Sequence, residues 1–285
     1  MENRIYPTIK NSILLCLLFC GILLGLGIIS EIIKPIFTIS DDSLFDEISS
    51  ALYSIISFGT VLVIGFKKTK RNFNEVFKFN RVSLFLWFAV IVFMIGYIIV
   101  ESELNNLLLY ILPIPENIRN FFDVPIPEQN ISIAIIGMVV IPGFAEELLF
   151  RGLILDGLKN NYSKKKAILI SALLFAIIHL NPLNLIFYFF FGAFAAWICV
   201  NTNSILLCVY MHLFNNAVVV AAAKIKNYIP IRGFNTNTVT SIEFQPIWFN
   251  VIGLIALVSG ILMLKQGFKK AKINARWEAP ALKRG

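Results

Sequence analysis

The chain has 285 residues, of which 58% are hydrophobic and 15% charged, and its mean hydropathy is +0.78. This composition excludes a water-soluble globular domain and is typical of a membrane protein with several spans. The net charge of +8 does not indicate nucleic-acid binding, because the basic residues flank the apolar runs, as the positive-inside rule predicts.

Eight apolar runs predict an all-α, polytopic membrane protein with about eight transmembrane helices and both termini in the cytoplasm. The basic connections 67–81 and 159–166 set this orientation, because lysine and arginine accumulate on the cytoplasmic side. The long connection 101–130 carries net negative charge and is assigned to the outside. In chain order, the predicted helices are 11–33, 50–66, 82–100, 131–158, 167–180, 183–200, 205–223 and 247–264.

The predicted helices divide the chain into three parts. Residues 1–130 hold the first three helices and an outside loop, and residues 131–223 hold a core of four helices. Residues 224–285 hold a second outside loop, the last helix and a basic cytoplasmic tail. The expected location is integral to a membrane, and the lack of a eukaryotic targeting signal favours a bacterial plasma membrane.

Three ionisable side chains stand close together in the fourth predicted helix, at Glu146, Glu147 and Arg151. An ionised side chain near the centre of a bilayer costs about 2.5–3.5 kcal/mol on insertion scales, so this cluster must be compensated. Glu147 and Arg151 are four residues apart and share a helix face, which predicts a supporting ion pair. Glu146 is rotated by about 100° and stays available. Alternatively, all three charges only hold neighbouring helices together.

The two histidines of the chain, His179 and His212, fall in the fifth and seventh predicted helices. Asn216 follows His212 by four residues and therefore shares its helix face. At about 1.5 Å per residue, Glu146, both histidines and Asn216 can meet in one layer, nearer the cytoplasmic side. This depth predicts that water and substrate enter from the cytoplasm or laterally from the inner leaflet.

A glutamate, two histidines and an amide are sufficient for amide hydrolysis without a serine or cysteine nucleophile. A carboxylate can act as a general base toward water, one histidine can relay the proton, and the other histidine with the amide can stabilise an oxyanion. The same site could instead hold a divalent metal such as zinc, with Glu146, His179 and His212 as ligands. Metal-bound histidines usually have a supporting carboxylate, and the fifth and seventh helices offer none, which favours a site that requires no metal.

Three segments carry a family resemblance: E-E-L-L-F-R-G at 146–152, F-A-I-I-H at 175–179 and H-L-F-N-N at 212–216. They resemble the ordered motifs EExxxR, FxxxH and HxxxN/D of the CAAX protease and bacteriocin-processing (CPBP) intramembrane endopeptidases, which are related to the prenyl-CAAX endopeptidase. The resemblance covers about 131–223. It implies that Glu146 and His179 activate water, that His212 and Asn216 form the oxyanion hole, and that Glu147 and Arg151 support them.

The resemblance implies an intramembrane endopeptidase that hydrolyses a membrane-associated protein or peptide precursor, with the lipid bilayer as its surroundings and no nucleic acid as partner. Members of the family are often called metalloproteases, although the motifs themselves do not require a metal. Two other functions stay open: a non-catalytic membrane scaffold or bacteriocin-immunity factor of the same family, and a proton-coupled transporter. A scaffold does not need an unpaired buried carboxylate, and the half-repeats of many transporters are not visible.

Overall fold

The computed structural model describes residues 5–34, 42–122, 131–237 and 241–278, and all regular elements of these residues are helices. The predicted class, an all-α polytopic membrane protein, is confirmed. The helices are α1 (Ile9–Ile33), α2 (Asp42–Thr69), α3 (Phe73–Val76), α4 (Leu84–Ile111), α5 (Glu116–Phe122), α6 (Ile131–Asn161), α7 (Lys164–Ile178), α8 (Leu185–Thr202), α9 (Leu206–Ile225) and α10 (Ile247–Glu278).

Seven of the described helices are long and apolar enough to cross a bilayer, so the protein is integral to the membrane. They are α1, α2, α4, α6, α8, α9 and α10. The remaining predicted span, 167–180, corresponds to α7, which has 15 residues. A helix of this length is about 22 Å long, shorter than the roughly 30 Å hydrocarbon core. The prediction of about eight spans is therefore corrected to seven long helices and one short one.

Three helices extend beyond their predicted ends. α2 begins at Asp42, so Asp42, Asp46 and Glu47 are helical. α4 continues to Ile111, because no helix-breaking residue occurs before Pro113. α10 runs on to Glu278, past the predicted end at 264. In each case hydropathy identifies only the apolar part of the helix that fits the bilayer, and the helix itself continues beyond that part.

α6 is a continuous helical rod with two π-helical segments, Ile135–Val140 and Leu148–Ile154. Between them lies one α-helical stretch, Ile141–Glu147, which contains Pro142 and both glutamates. π-helical segments each accommodate an extra residue and often occur at functional sites. The helix type therefore changes on either side of Pro142 and Gly143.

α10 packs along α4 through a row of glycines. Gly253, Gly260 and Gly267 are seven residues apart and lie on one face of α10. A Cβ added at Gly260 would lie 2.4 Å from the Cα of Phe93, and one added at Gly253 would lie 2.4 Å from a methyl group of Ile99. Small residues allow the backbones of membrane helices to approach closely, and this face uses them.

We expect Gly260→Ala to destabilise the protein by about 1–3 kcal/mol or more, because the added methyl group meets the backbone of α4 and cannot be accommodated by a side-chain rotation. The matched control is Gly59→Ala in α2, where nothing lies within 4 Å of the added carbon. There the change should be neutral or stabilising by up to ~1 kcal/mol. Thermal unfolding of both purified variants in detergent compares them, and equal midpoints would contradict the packing described here.

The end of α6 near Asn161 is joined to the connection between α2 and α4 by buried charge. The carboxylate of Asp156, which is buried, accepts hydrogen bonds from Arg71 and from Lys78, the latter at 2.7 Å. Lys159 approaches the same carboxylate at 3.3 Å. The backbone N–H of Ile205, just before α9, donates to the carbonyl of Lys78 at 2.8 Å. We call this end of the bundle, which holds Arg71, Lys78, Asp156 and Lys159, the basic cap.

The orientation of the chain in the membrane stays a prediction, and cysteine labelling tests it. We expect Tyr228→Cys, at a position 84% exposed, to react with a membrane-impermeant maleimide on intact cells. Asn72→Cys, beside the basic cap, should react only after permeabilisation, because basic connections stay in the cytoplasm. The native cysteines are buried or half-buried and give a low background. The opposite labelling pattern would invert the topology.

Candidate active site

The centre of the site is the buried carboxylate of Glu147. Its Oε1 atom accepts a hydrogen bond from Nη1 of Arg151 at 2.8 Å and another from Nδ1 of His212 at 2.9 Å. Arg151 also donates to the carbonyl of Gly192 at 3.2 Å, and its guanidinium carbon lies 4.5 Å from the centroid of the Phe175 ring. The ion pair therefore connects four helices, α6, α7, α8 and α9.

Glu146, the neighbouring carboxylate, is placed differently. Its Oε2 atom is buried and has no hydrogen-bond partner among the described residues. Nε2 of His179 lies 3.8 Å away from this atom. That distance is too long for a direct hydrogen bond and is suited to one water molecule held between the two atoms. Glu146 and His179 are both partly exposed, so this pair is accessible, whereas the Glu147 pair is not.

The end of α7 orients His179. The last turn of this helix tightens, and the N–H of His179 bonds to the carbonyl of Ala176. The carbonyl of Phe175 is then free and accepts from Nδ1 of the His179 ring at 2.7 Å. Because a carbonyl can only accept, Nδ1 carries the proton, and in the neutral ring Nε2 presents its lone pair toward Glu146. The ring also stacks on Tyr188, with centroids 3.9 Å apart.

His212 is held in the same tautomer by a different partner. Its Nδ1 atom donates to the Glu147 carboxylate, so Nε2 carries a lone pair when the ring is neutral. Nε2 can donate a hydrogen bond only when the ring carries both protons. The edges and faces of Phe175 and Phe191 surround the imidazole, with centroids 6.1 and 5.1 Å away, and the residue is buried.

Asn216 anchors α9 to the first π-helical segment of α6. Its amide nitrogen donates to the carbonyl of Met138 at 2.8 Å. In an α-helix that carbonyl would accept from the residue four positions later, which is Pro142 and has no N–H. Asn216 thus supplies the missing donor. Because an amide nitrogen carries two hydrogens, one remains for another acceptor.

The structure therefore brings five of the six sequence-predicted residues into two groups. Glu146 and His179 form the accessible pair, and Glu147, Arg151 and His212 form the buried network. Asn216, the sixth, lies one turn after His212 on α9 and bonds to Met138. Sequence reasoning did not identify three further contributors: Met138, Tyr188 and Gly192. Of these three, only Met138 could have been identified from the sequence, because it lies four residues before a proline within a predicted helix.

Two features of the site concern metal binding: the partners of the histidines and the arrangement of possible ligands. The fifth and seventh predicted helices offer no carboxylate, but both histidines have support: Glu147 on α6 bonds to His212, and the Phe175 carbonyl bonds to His179. Support of this kind is also compatible with a metal site. Within the described ranges, however, no group of three or more His, Cys, Asp or Glu residues is arranged to hold a metal ion.

The apolar helices and the buried Glu–Arg–His network define an integral membrane protein with its candidate active site inside the bilayer. Residues 128–218 match the family model described as type II CAAX prenyl endopeptidase Rce1-like. The match covers about a third of the chain and contains all three motifs, so it supports the predicted resemblance to the CAAX protease family. No curated protein and no solved structure matches the chain significantly.

Proposed function

We propose that the protein is an intramembrane endopeptidase that hydrolyses a peptide bond of a membrane-associated protein or peptide precursor. The observation that carries this proposal is the Glu146 carboxylate. It lies within the membrane-embedded bundle, lacks a hydrogen-bond partner among the described residues, and stands 3.8 Å from a histidine nitrogen that carries a lone pair. An unpaired carboxylate at this depth is costly, and a purely structural role does not account for it.

Glu146 and His179 are suited to hold the attacking water. Both Oε2 of Glu146 and Nε2 of His179 are acceptors, so a water between them donates one hydrogen to each and keeps an oxygen lone pair free. As that lone pair forms a bond to the peptide carbonyl carbon, Glu146 takes the water proton and the carbonyl electrons move to the oxygen. When the oxyanion collapses, the C–N bond breaks and the amine nitrogen receives the proton.

Asn216 and His212 are the proposed donors to the oxyanion. The second amide hydrogen of Asn216 is available, since only one is used by Met138. His212 donates its Nδ1 proton to Glu147, so it can contribute only as the doubly protonated ring. Donors placed before the reaction lower the barrier because they need no reorganisation as charge develops. The buried Glu147–Arg151 pair holds the Glu147 carboxylate in place, and the bond from His212 to that carboxylate fixes α9 against α6.

The test of the function is cleavage by the purified protein in lipid vesicles. A synthetic peptide with one membrane-inserting segment should give two fragments whose masses add to that of the peptide plus water. A scaffold or immunity factor would leave the peptide intact. Comparing the membrane peptidome of cells that carry the wild-type protein with that of cells that carry Glu146→Ala then identifies the natural substrate.

Metal removal is expected to leave the activity in place, because hydrolysis can proceed on Glu146 and His179 alone. The purified enzyme would be treated with a membrane-compatible chelator, analysed for metal content and assayed on the same peptide. Complete loss of activity, restored by one equivalent of zinc and not by buffer, would instead make Glu146, His179 and His212 ligands.

A further inference from the structure

A polar cavity of about 460 Å³ lies at the end of the bundle opposite the basic cap. Its walls come from the last turns of α4, the segment between α7 and α8, and the residues that follow α9. Five of the lining residues are asparagines: Asn105, Asn106, Asn181, Asn184 and Asn237. Such a density of amides is unusual for helices that cross a bilayer, and the catalytic steps above do not use it.

The cavity and the candidate active site share one chain segment. Asn181 lies two residues after His179, and Asn184 lies one turn before Tyr188 in the sequence. The Tyr188 ring, in the first turn of α8 after Asn184, stacks on the His179 ring at 3.9 Å. A chain bound along this wall therefore leads directly to the water-binding pair.

The opposite side of the site is closed by packing. Between Glu147 and the basic cap, α6 presents apolar side chains with no exposed surface, and α8 and α9 contribute others. They include Leu149, Phe150, Leu153, Ile154, Ile198 and Met211. The sequence predicts entry from the cytoplasmic side or laterally from the inner leaflet. The asparagine-lined cavity lies on the other side of the site and offers a second direction of approach.

The chemistry of the cavity defines its ligand. Amide side chains both donate and accept, as a peptide backbone requires, and the side chain of Asn105 makes no hydrogen bond to any described residue. The amides of Asn106, Asn181 and Asn237 are held by hydrogen bonds within the protein and give the wall a fixed shape. Lys226 and Arg119 also line the cavity, and none of the described lining residues is acidic.

We propose that this cavity binds an acidic, extended peptide segment that flanks the scissile bond and is presented from the side of the membrane opposite the basic cap. The proposal rests on the endopeptidase function and adds the substrate class and the direction of entry. The side-chain amides of Asn105 and Asn184 align the peptide backbone, Lys226 attracts its carboxylates, and the shared segment places the bond beside Glu146 and His179.

Binding of synthetic peptides tests the cavity separately from cleavage. Three fluorescein-labelled peptides share one apolar membrane segment and carry an aspartate, serine or lysine flank. With the Glu146→Gln protein in lipid nanodiscs, fluorescence anisotropy should show the aspartate peptide binding about fivefold tighter than the serine peptide, and the lysine peptide weakest. Lys226→Glu should remove this preference. Lys165→Glu, an exposed lysine near the basic cap, is the matched control and should preserve it.

Equal binding of the three peptides, or an unchanged preference in Lys226→Glu, would overturn the cavity proposal even if the wild-type protein cleaves them. Conversely, selective binding with no cleavage by the wild type would overturn the endopeptidase function and leave the cavity as a peptide-binding site. The direction of entry is tested with the wild-type protein in vesicles in which its orientation is known. The proposal is supported if only peptides whose charged flank lies on the same side of the membrane as Tyr228 are cleaved. It is contradicted if only peptides whose flank lies on the same side as Asn72 are cleaved.

Discussion

Replacing Glu146 with glutamine should abolish cleavage and leave the folded protein intact. Glutamine has the same shape but cannot accept the water proton, and general-base catalysis is worth about 10²–10⁴-fold in rate. Because Oε2 of Glu146 has no hydrogen-bond partner among the described residues, the substitution breaks no structural contact. Initial cleavage rates in vesicles measure the loss of activity, and the thermal unfolding midpoint shows whether the fold is intact.

Glu147→Gln is the matched control for this experiment, since it makes the same chemical change one residue further along α6. It weakens the bonds to Arg151 and His212 and leaves a buried guanidinium without its counter-ion. We therefore expect a lower unfolding midpoint in Glu147→Gln and an unchanged one in Glu146→Gln. A near-wild-type cleavage rate in Glu146→Gln would exclude this carboxylate as the base.

The largest effect on stability is expected for Arg151→Ala. The substitution leaves the Glu147 carboxylate fully buried with only His212 as partner, and it also removes the bond to the Gly192 carbonyl. Breaking a buried ion pair costs about 3–5 kcal/mol, because the remaining charge is uncompensated. Loss of the contact between the guanidinium and the Phe175 ring adds to this. Unfolding in a detergent titration gives the value, and poor membrane expression should accompany it.

A double variant separates charge from packing in this cluster. Glu147→Gln combined with Arg151→Met removes both charges and keeps similar volumes. It should be more stable than Arg151→Ala alone, because no unpaired charge stays buried. If Arg151→Ala itself falls within about 1 kcal/mol of wild type, in the range of exposed pairs, the pair does not hold the helices together as described.

Sequence spacing predicted the local part of this site. Glu147 and Arg151 are four residues apart on one helix, so helical geometry alone places them together. The bond between Glu147 and His212 joins two helices, and no periodicity within either helix specifies how they rotate against each other. For the same reason the support that Glu147 gives to His212 could not be predicted, and the need for a metal stays a question for experiment.

Hydropathy also could not predict the helix types or the positions of the helix ends. Nothing in the sequence of α6 distinguishes π-helical from α-helical turns. α2 begins in a polar segment, and α4 continues through the polar residues 101–106, where a hydropathy window reports loss of apolar character and not loss of helix. The asparagine-lined cavity depends on three separate segments, so it could not be recognised before they were placed in space.

The glycine face of α10 links completion of the bundle to the course of translation. The surface of α4 around Phe93 and Ile99 fits this face, yet α10 leaves the ribosome well after α4 has entered the membrane. At roughly 5–20 residues per second, the delay is on the order of ten seconds. During that interval α4 stands against lipid with its groove empty, and a nascent chain stalled before Gly253 would offer quality-control proteases an unfinished bundle.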